Sequence, residues 1–271
     1  MNLILVAALL AAAPSYPWPH TEVRSLAEEI APPSGFSRVP AALGSFAAWL
    51  RGLPTRPKQT PVRIYDGSLK GNQGAHQAVI DIDVGQRDHQ QCADAVMRLR
   101  AEYLFAADRQ EEICFRASNG TPLPWHTWKS GQRPRVNGKR IDWKPGAAAG
   151  ADWTNFRKYL DFVFVYAGTW SLEKELTTVD DIKEIRAGDV FIQGGFPGHA
   201  VIVVDVAENR EGERVFLLAQ SYMPAQDIHI LRNPGAESPW YPARKAARLQ
   251  TPEWLFEPPR LKRFADGKGC N

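Results

Sequence analysis

The sequence predicts an α+β fold, with helices in its earlier part and an antiparallel strand meander after them. Three observations predict it. Segments with strand character at Asp189–Gln193, Ala200–Val206, Val215–Gln220 and Ile228–Leu231 follow one another through connections too short for helical crossovers. Apolar residues at helical spacing occupy 88–107 and 152–167, upstream of those strands. Helices followed by a run of strands are the signature of segregated α and β layers.

The elements follow in order. Residues 1–13 form an apolar run ending in small residues, too short to span a bilayer and shaped like a secretory signal cleaved after Ala13. Residues 14–38 are Pro-rich and read as an extended arm. Residues 39–260 read as one α+β domain, and 261–271 as a flexible Gly/Lys tail. Within the domain, Leu43, Phe46, Ala47, Leu50 and Leu53 have helical spacing, and Pro54 ends that helix. Val62–Tyr65, Ala75–Val84 and Glu112–Ala117 read as strands. Asp88 is the expected N-cap of a helix whose apolar face is Val96, Met97, Leu99, Tyr103 and Leu104. Residues 119–151 read as a Trp/Pro/Gly-rich insertion with little regular structure and a hairpin at Asn137-Gly138. Its Trp125, Trp128 and Trp143 read as packing residues or as the cover of a cleft. Asp152 caps the next long helix, a helical turn follows around Leu172, and Pro252–Phe256 reads as a last helical turn.

Charge and cysteine content exclude some functions. A net charge of +3, with no basic stripe and no known binding motif, argues against nucleic acid as a partner. No segment after residue 13 is long and apolar enough for a membrane span. Three cysteines, Cys92, Cys114 and Cys270, leave at least one unpaired; Cys92–Cys114 is a possible bridge on paper, and no spacing resembles a zinc site.

The chemistry concentrates at Cys92 and at Gly188–Val206. Gly188-Asp189 is a turn signal, Gly194–Gly198 is a loop of small residues, and His199 opens a buried strand. A rigid strand fixes the ring, and the small-residue loop leaves room for a substrate. Cys92 lies near a helix N-terminus, where N–H groups favour a thiolate and a developing oxyanion. Gln220, at the end of the third meander strand, is placed to orient the ring; Ser221, Tyr222 and Gln226 are rivals in the same polar stretch. An inert buried thiol is the alternative reading of Cys92, and a strand-end histidine bonded to a loop carbonyl that of His199. His76 reads as a second base beside Asp81 or Asp83, or as a surface residue before a strand. Asp189 reads as a turn former.

These residues resemble the NlpC-type branch of papain-like cell-wall peptidases and amidases. The matching stretches are 179–192, Gly198–Val204 and Phe216–Ser221, together with the Cys92 helix. The family's cysteine usually follows Asp and precedes Ser-Gly, whereas this chain reads Gln90-Gln-Cys-Ala-Asp94. Over nearly its full length the chain is similar to a bacterial family known only as domain of unknown function 4846. That resemblance rests on 65–76, 79–83, 91–103, 156–160, 188–205 and 220–226, and implies little about function.

The NlpC-type resemblance implies a papain-like core and a cysteine hydrolase. Cys92 would be the nucleophile, His199 the base and then the acid, and Gln220 the orienter. Gln91, His76, Gln193 and Tyr222 would contact substrate, and the first turn near Gln91 and Cys92 would bind the oxyanion. Such an enzyme needs no metal and no organic cofactor. It would be periplasmic or secreted and would act on peptidoglycan peptides. The alternative is the same fold as a non-catalytic module that binds cell-wall glycan or a partner protein.

Overall fold

The meander lies at the centre of a nine-stranded antiparallel sheet in the computed structural model, which describes residues 14–21, 24–267, 269 and 270. The candidate signal segment 1–13 lies outside the described residues. The strands are β1 Ser37–Arg38, β2 His76–Val79, β3 Thr177–Thr178, β4 Val190–Gln193, β5 His199–Glu208, β6 Arg214–Gln220, β7 His229–Leu231, β8 Tyr241–Pro242 and β9 Leu261–Arg263. Their order is β2-β7-β6-β5-β4-β9-β3, with β8 also pairing β6 and β1 also pairing β5. The helices are α1 Leu26–Glu29, α2 Phe46–Arg51, α3 Cys92–Ala106, α4 Trp125–Lys129, α5 Trp153–Tyr166 and α6 Thr169–Glu175.

Both faces of the sheet are covered, which is why its central strands read as continuous apolar runs rather than alternating ones. Val190, Ile192, Ala200, Ile202 and Val204 point into the core shared with α2, α3, α5 and α6. Phe191, Val201, Val203, Phe216 and Leu218 point to the other face, covered by Tyr241, Phe256 and Leu261 from the C-terminal wrapping. Gly188 sits at φ +98°, where a Cβ would come within 2.7 Å of the Phe46 ring, so the turn before β4 requires glycine. Asp189 accepts from the Arg186 amide at 2.8 Å and pairs with Arg263 at 2.6 Å, the turn-forming role read from the sequence.

Helix α3 differs from the amphipathic helix expected. Every residue from Ala93 to Leu104 is buried. Arg98 and Glu102 survive there because they are partnered. Arg98 meets Glu102 at 3.4 Å and Asp83 at 2.8 Å, and Trp153 Nε1 donates to Glu102 at 3.1 Å.

Several other expectations are corrected. Residues 14–38 are not an extended arm: Trp18 is buried, and α1 carries a Ser25/Glu28 capping box. The span from residue 261 is not a free tail, since β9 pairs with β4 and β3, and Cys270 forms a disulfide with Cys114. Cys92 is the free cysteine, so the Cys92–Cys114 pairing does not occur. The 119–151 insertion holds α4 and a regular hairpin, Gln132–Asn137 with Arg140–Pro145. Trp125 and Trp128 belong to the core rather than to a cleft. Val62–Tyr65 contributes only isolated bridges, and Pro252–Phe256 carries a short strand, Leu255–Phe256, paired with Leu249–Gln250.

Candidate functional site

Helix α3 starts at Cys92 because the preceding loop is clipped to the segment after β6. Asp88, the expected N-cap, instead accepts from the Ala225 amide at 2.6 Å and from Gln91 Nε2 at 3.0 Å. The Ser221 hydroxyl lies 2.8 Å from the Gln90 carbonyl oxygen. Gln91 is the N-cap, in an extended conformation, and its amide donates to Asp94 Oδ2 at 3.0 Å. These ties hold the N-terminus of α3 at the end of the sheet where β5 begins with His199 and β6 ends with Gln220.

His199 and Gln220 meet as read from the sequence. His199 Nε2 lies 2.9 Å from Gln220 Oε1, and both residues are buried. That bond leaves Nδ1 as the ring nitrogen not engaged by Gln220. Aromatic groups pack the ring: Tyr222 edge-on at 5.0 Å, Trp254 at 5.1 Å and Phe256 stacked at 5.8 Å. Cys92 reaches the same end of the sheet from the helix layer. Its thiol lies toward the peptide N–H of Ala200, the residue after His199.

The resting electrostatics run against the expected thiolate. Burial pushes the Cys92 thiol up to about 11, and the charge of Asp94 adds to that rise; the N–H groups of Ala200, Ala93 and Cys92 oppose it without overcoming it. Burial brings His199 down to about 4, the Gln220 bond opposes that, and the Lys70 cation reinforces it. Cys92 therefore rests as a neutral thiol and His199 as a neutral imidazole. The lowered thiol pKa expected from the helix N-terminus is corrected, because desolvation of the sulfur outweighs the first-turn N–H groups.

The other candidates divide. Tyr222 is at the site, and Gln193 lies directly opposite His199 in the β4–β5 register. Gln91 is not free to act as expected, since its amide is taken by Asp94 and its side chain by Asp88. His76 does not pair with Asp81 or Asp83. Its Nε2 meets the Thr60 carbonyl at 3.2 Å, whereas Asp81 binds Thr21 and Arg56, and Asp83 binds Arg98. Among the described residues no group of three His, Cys, Asp or Glu side chains is placed to hold a metal ion, and no helix is long and apolar enough to cross a membrane.

Four residues behind Gln220 escaped the sequence reading. Gln220 Nε2 donates to Glu253 Oε2 at 2.8 Å and lies 3.4 Å from His229 Nε2. Lys70 forms an ion pair with the same Glu253 oxygen and lies 3.5 Å from His229 Nε2. Asn72 Nδ2 reaches the other Glu253 oxygen at 3.4 Å. His229 was findable, since it stands directly opposite Gln220 on the next meander strand. Lys70 lies within the Tyr65–His76 stretch already singled out. Glu253 carried no signal.

A family model described as a domain of unknown function (4846) matches residues 26–263. No curated protein and no solved structure matches the chain. With its mixed α+β architecture and that match over most of its length, the chain belongs to the domain of unknown function 4846 family.

Proposed function

We propose that the chain is an exported cysteine hydrolase, a peptidase or amidase with a papain-like, NlpC-type core, acting on peptidoglycan peptides in the periplasm or outside the cell. The observation that carries this reading is the 2.9 Å His199–Gln220 bond at the sheet end that also receives the N-terminus of the Cys92 helix. A nucleophile beside a base that a third group orients is the arrangement covalent hydrolysis needs. The Cys114–Cys270 disulfide fits an oxidising compartment.

The chemistry follows from the neutral resting pair. Cys92 Sγ attacks the substrate carbonyl carbon, and its proton passes to His199 Nδ1 as the S–C bond forms. The oxyanion draws on first-turn N–H groups of α3 other than that of Gln91. Collapse breaks the C–N bond, and Nδ1 returns the proton to the leaving amine. Water then attacks the thioester, gives a proton to Nδ1, and releases the acid as the thiol regains that proton. Muropeptide turnover by the wild type, lost in a folded Cys92→Ala variant by more than about a thousandfold, is the expected result. Equal turnover in both, or none in the wild type, overturns the reading.

Two observations favour the second reading, a non-catalytic binding module. The thiol is pushed up to about 11 rather than down. A cavity of about 600 Å³ also lies away from Cys92, floored by Phe191, Phe216 and Tyr241 and rimmed by Arg244, Lys245 and Arg248. Saturable muropeptide binding without turnover, unchanged in Cys92→Ala, would select that reading.

A further inference from the structure

We infer that Glu253, clamped by Lys70, is a positioning residue that sets the His199 tautomer through the Gln220 amide. The inference rests on reading His199 as the base, but its physical content is a proton assignment that can be tested without any substrate.

The Asp227 peptide carbonyl only accepts, and it lies 2.8 Å from His229 Nδ1, so His229 carries its proton on Nδ1. His229 Nε2 is then an acceptor, facing the Lys70 ammonium at 3.5 Å and Gln220 Nε2 at 3.4 Å. The Glu253 carboxylate also only accepts, and it takes the other Gln220 Nε2 proton at 2.8 Å. Two acceptors on one side therefore hold the Gln220 NH₂ group away from His199, and the amide oxygen must face the ring. An oxygen 2.9 Å from His199 Nε2 requires the ring proton to sit there. Nδ1 is left with its lone pair, the state a base needs.

Lys70 keeps this device charged and still. Its ammonium pairs with Glu253 and lies over the Tyr222 ring at 5.8 Å, so the carboxylate is not left as a lone buried charge. Asn72 braces the second carboxylate oxygen. The chain thus uses residues from three distant segments to orient one imidazole, as outer-shell partners of histidine ligands do at metal sites.

The experiment is long-range ¹H–¹⁵N NMR on the full chain labelled with ¹⁵N-histidine, with His199 assigned by the signal lost in His199→Gln. The wild type is expected to show His199 protonated on Nε2 and bare on Nδ1. Glu253→Ala should shift His199 toward the Nδ1-protonated form, and Glu253→Asp should restore the wild-type pattern in part. If Glu253→Ala leaves Lys70 buried and the chain unfolded, the double variant Lys70→Met/Glu253→Leu removes both charges and answers the same question. Nδ1 protonation in the wild type, or an unchanged tautomer in a folded variant without Glu253, overturns the inference. Where muropeptide turnover is measurable, the same variants should lose about 10–100-fold in kcat with KM nearly unchanged. Absence of turnover in the wild type counts against the hydrolase alone, because the tautomer still decides the role of Glu253.

Discussion

Strand β5 carries a buried polar side chain at its first residue and another in its second half, and the two are treated in opposite ways. Asp205 is saturated. Arg38 Nε donates to one carboxylate oxygen at 2.7 Å, Arg51 Nε to the other at 2.8 Å, and the Val206 amide adds a third bond at 2.9 Å. A register shift between Val203 and Asp205 accommodates it. His199 is half satisfied: one nitrogen meets a neutral amide, and its remaining neighbours are largely aromatic rings. Full pairing locks a charge and ties the N-terminal segment to the sheet. Partial pairing keeps a ring neutral with one nitrogen in reserve, the condition chemistry requires.

Asp205→Asn should have the largest effect. Two arginines would keep their places with no carboxylate between them, and we expect a loss of about 3–5 kcal/mol in urea unfolding. Turnover or ligand binding per folded molecule should not change. A loss under about 1 kcal/mol would mean that the saturated side chain is not structural.

Acid sharpens the His199 end. His199 is held near 4 in the fold, against about 6.5 for an unfolded histidine. The folded state therefore binds fewer protons, so the stability is complete above pH 6.5 and is lost as pH falls toward 4. His199 accounts for on the order of 3 kcal/mol of that loss, and His199→Gln should flatten the urea-midpoint profile over this window. For a hydrolase, kcat/KM should fall below about pH 4, where the imidazole can no longer accept a proton. An unchanged pH profile in His199→Gln would contradict the assignment.

Glu175 supplies the smallest test. Burial raises its carboxyl to about 7, against the Arg116 N–H bond at 2.9 Å and the Arg116 charge, which lower it. It is less buried than Asp205 and has no guanidinium pair on its carboxylate. The folded state here binds more protons, so stability is greatest below pH 4.5 and declines as pH rises through 7. Glu175→Gln keeps an acceptor for Arg116 and should gain about 1–2 kcal/mol at pH 8 and almost nothing at pH 4. A loss at pH 8 would show that the carboxylate is paired after all.

The meander, His199 at the head of its strand, Gln220 at the end of the next and the helix after residue 91 were all legible. Each depends on neighbours within a few positions: a Gly-Asp turn, a β-branched run, an apolar residue every third or fourth place. The errors also have a common source. Asp88 looked like a cap because caps are short and polar, yet Ala225, from a distant loop, took its carboxylate. Pro252–Phe256 looked helical because its local composition allows it, and a partner at Leu249–Gln250 made it extended. Cys270 looked like part of a loose tail, since nothing near it in the chain marks Cys114 as its partner.

By itself, the order of residues determined the strand run, the turn at Gly188 and the places of His199 and Gln220 at strand ends, because backbone dihedral preference and side-chain periodicity act over a few bonds. Only tertiary structure decided that the sulfur of Cys92 is desolvated, that α3 is buried on every side, and that Lys70 and Glu253 stand behind Gln220. Proton affinity depends on the water removed and the charges brought near, and in this chain those groups come from segments far apart in sequence.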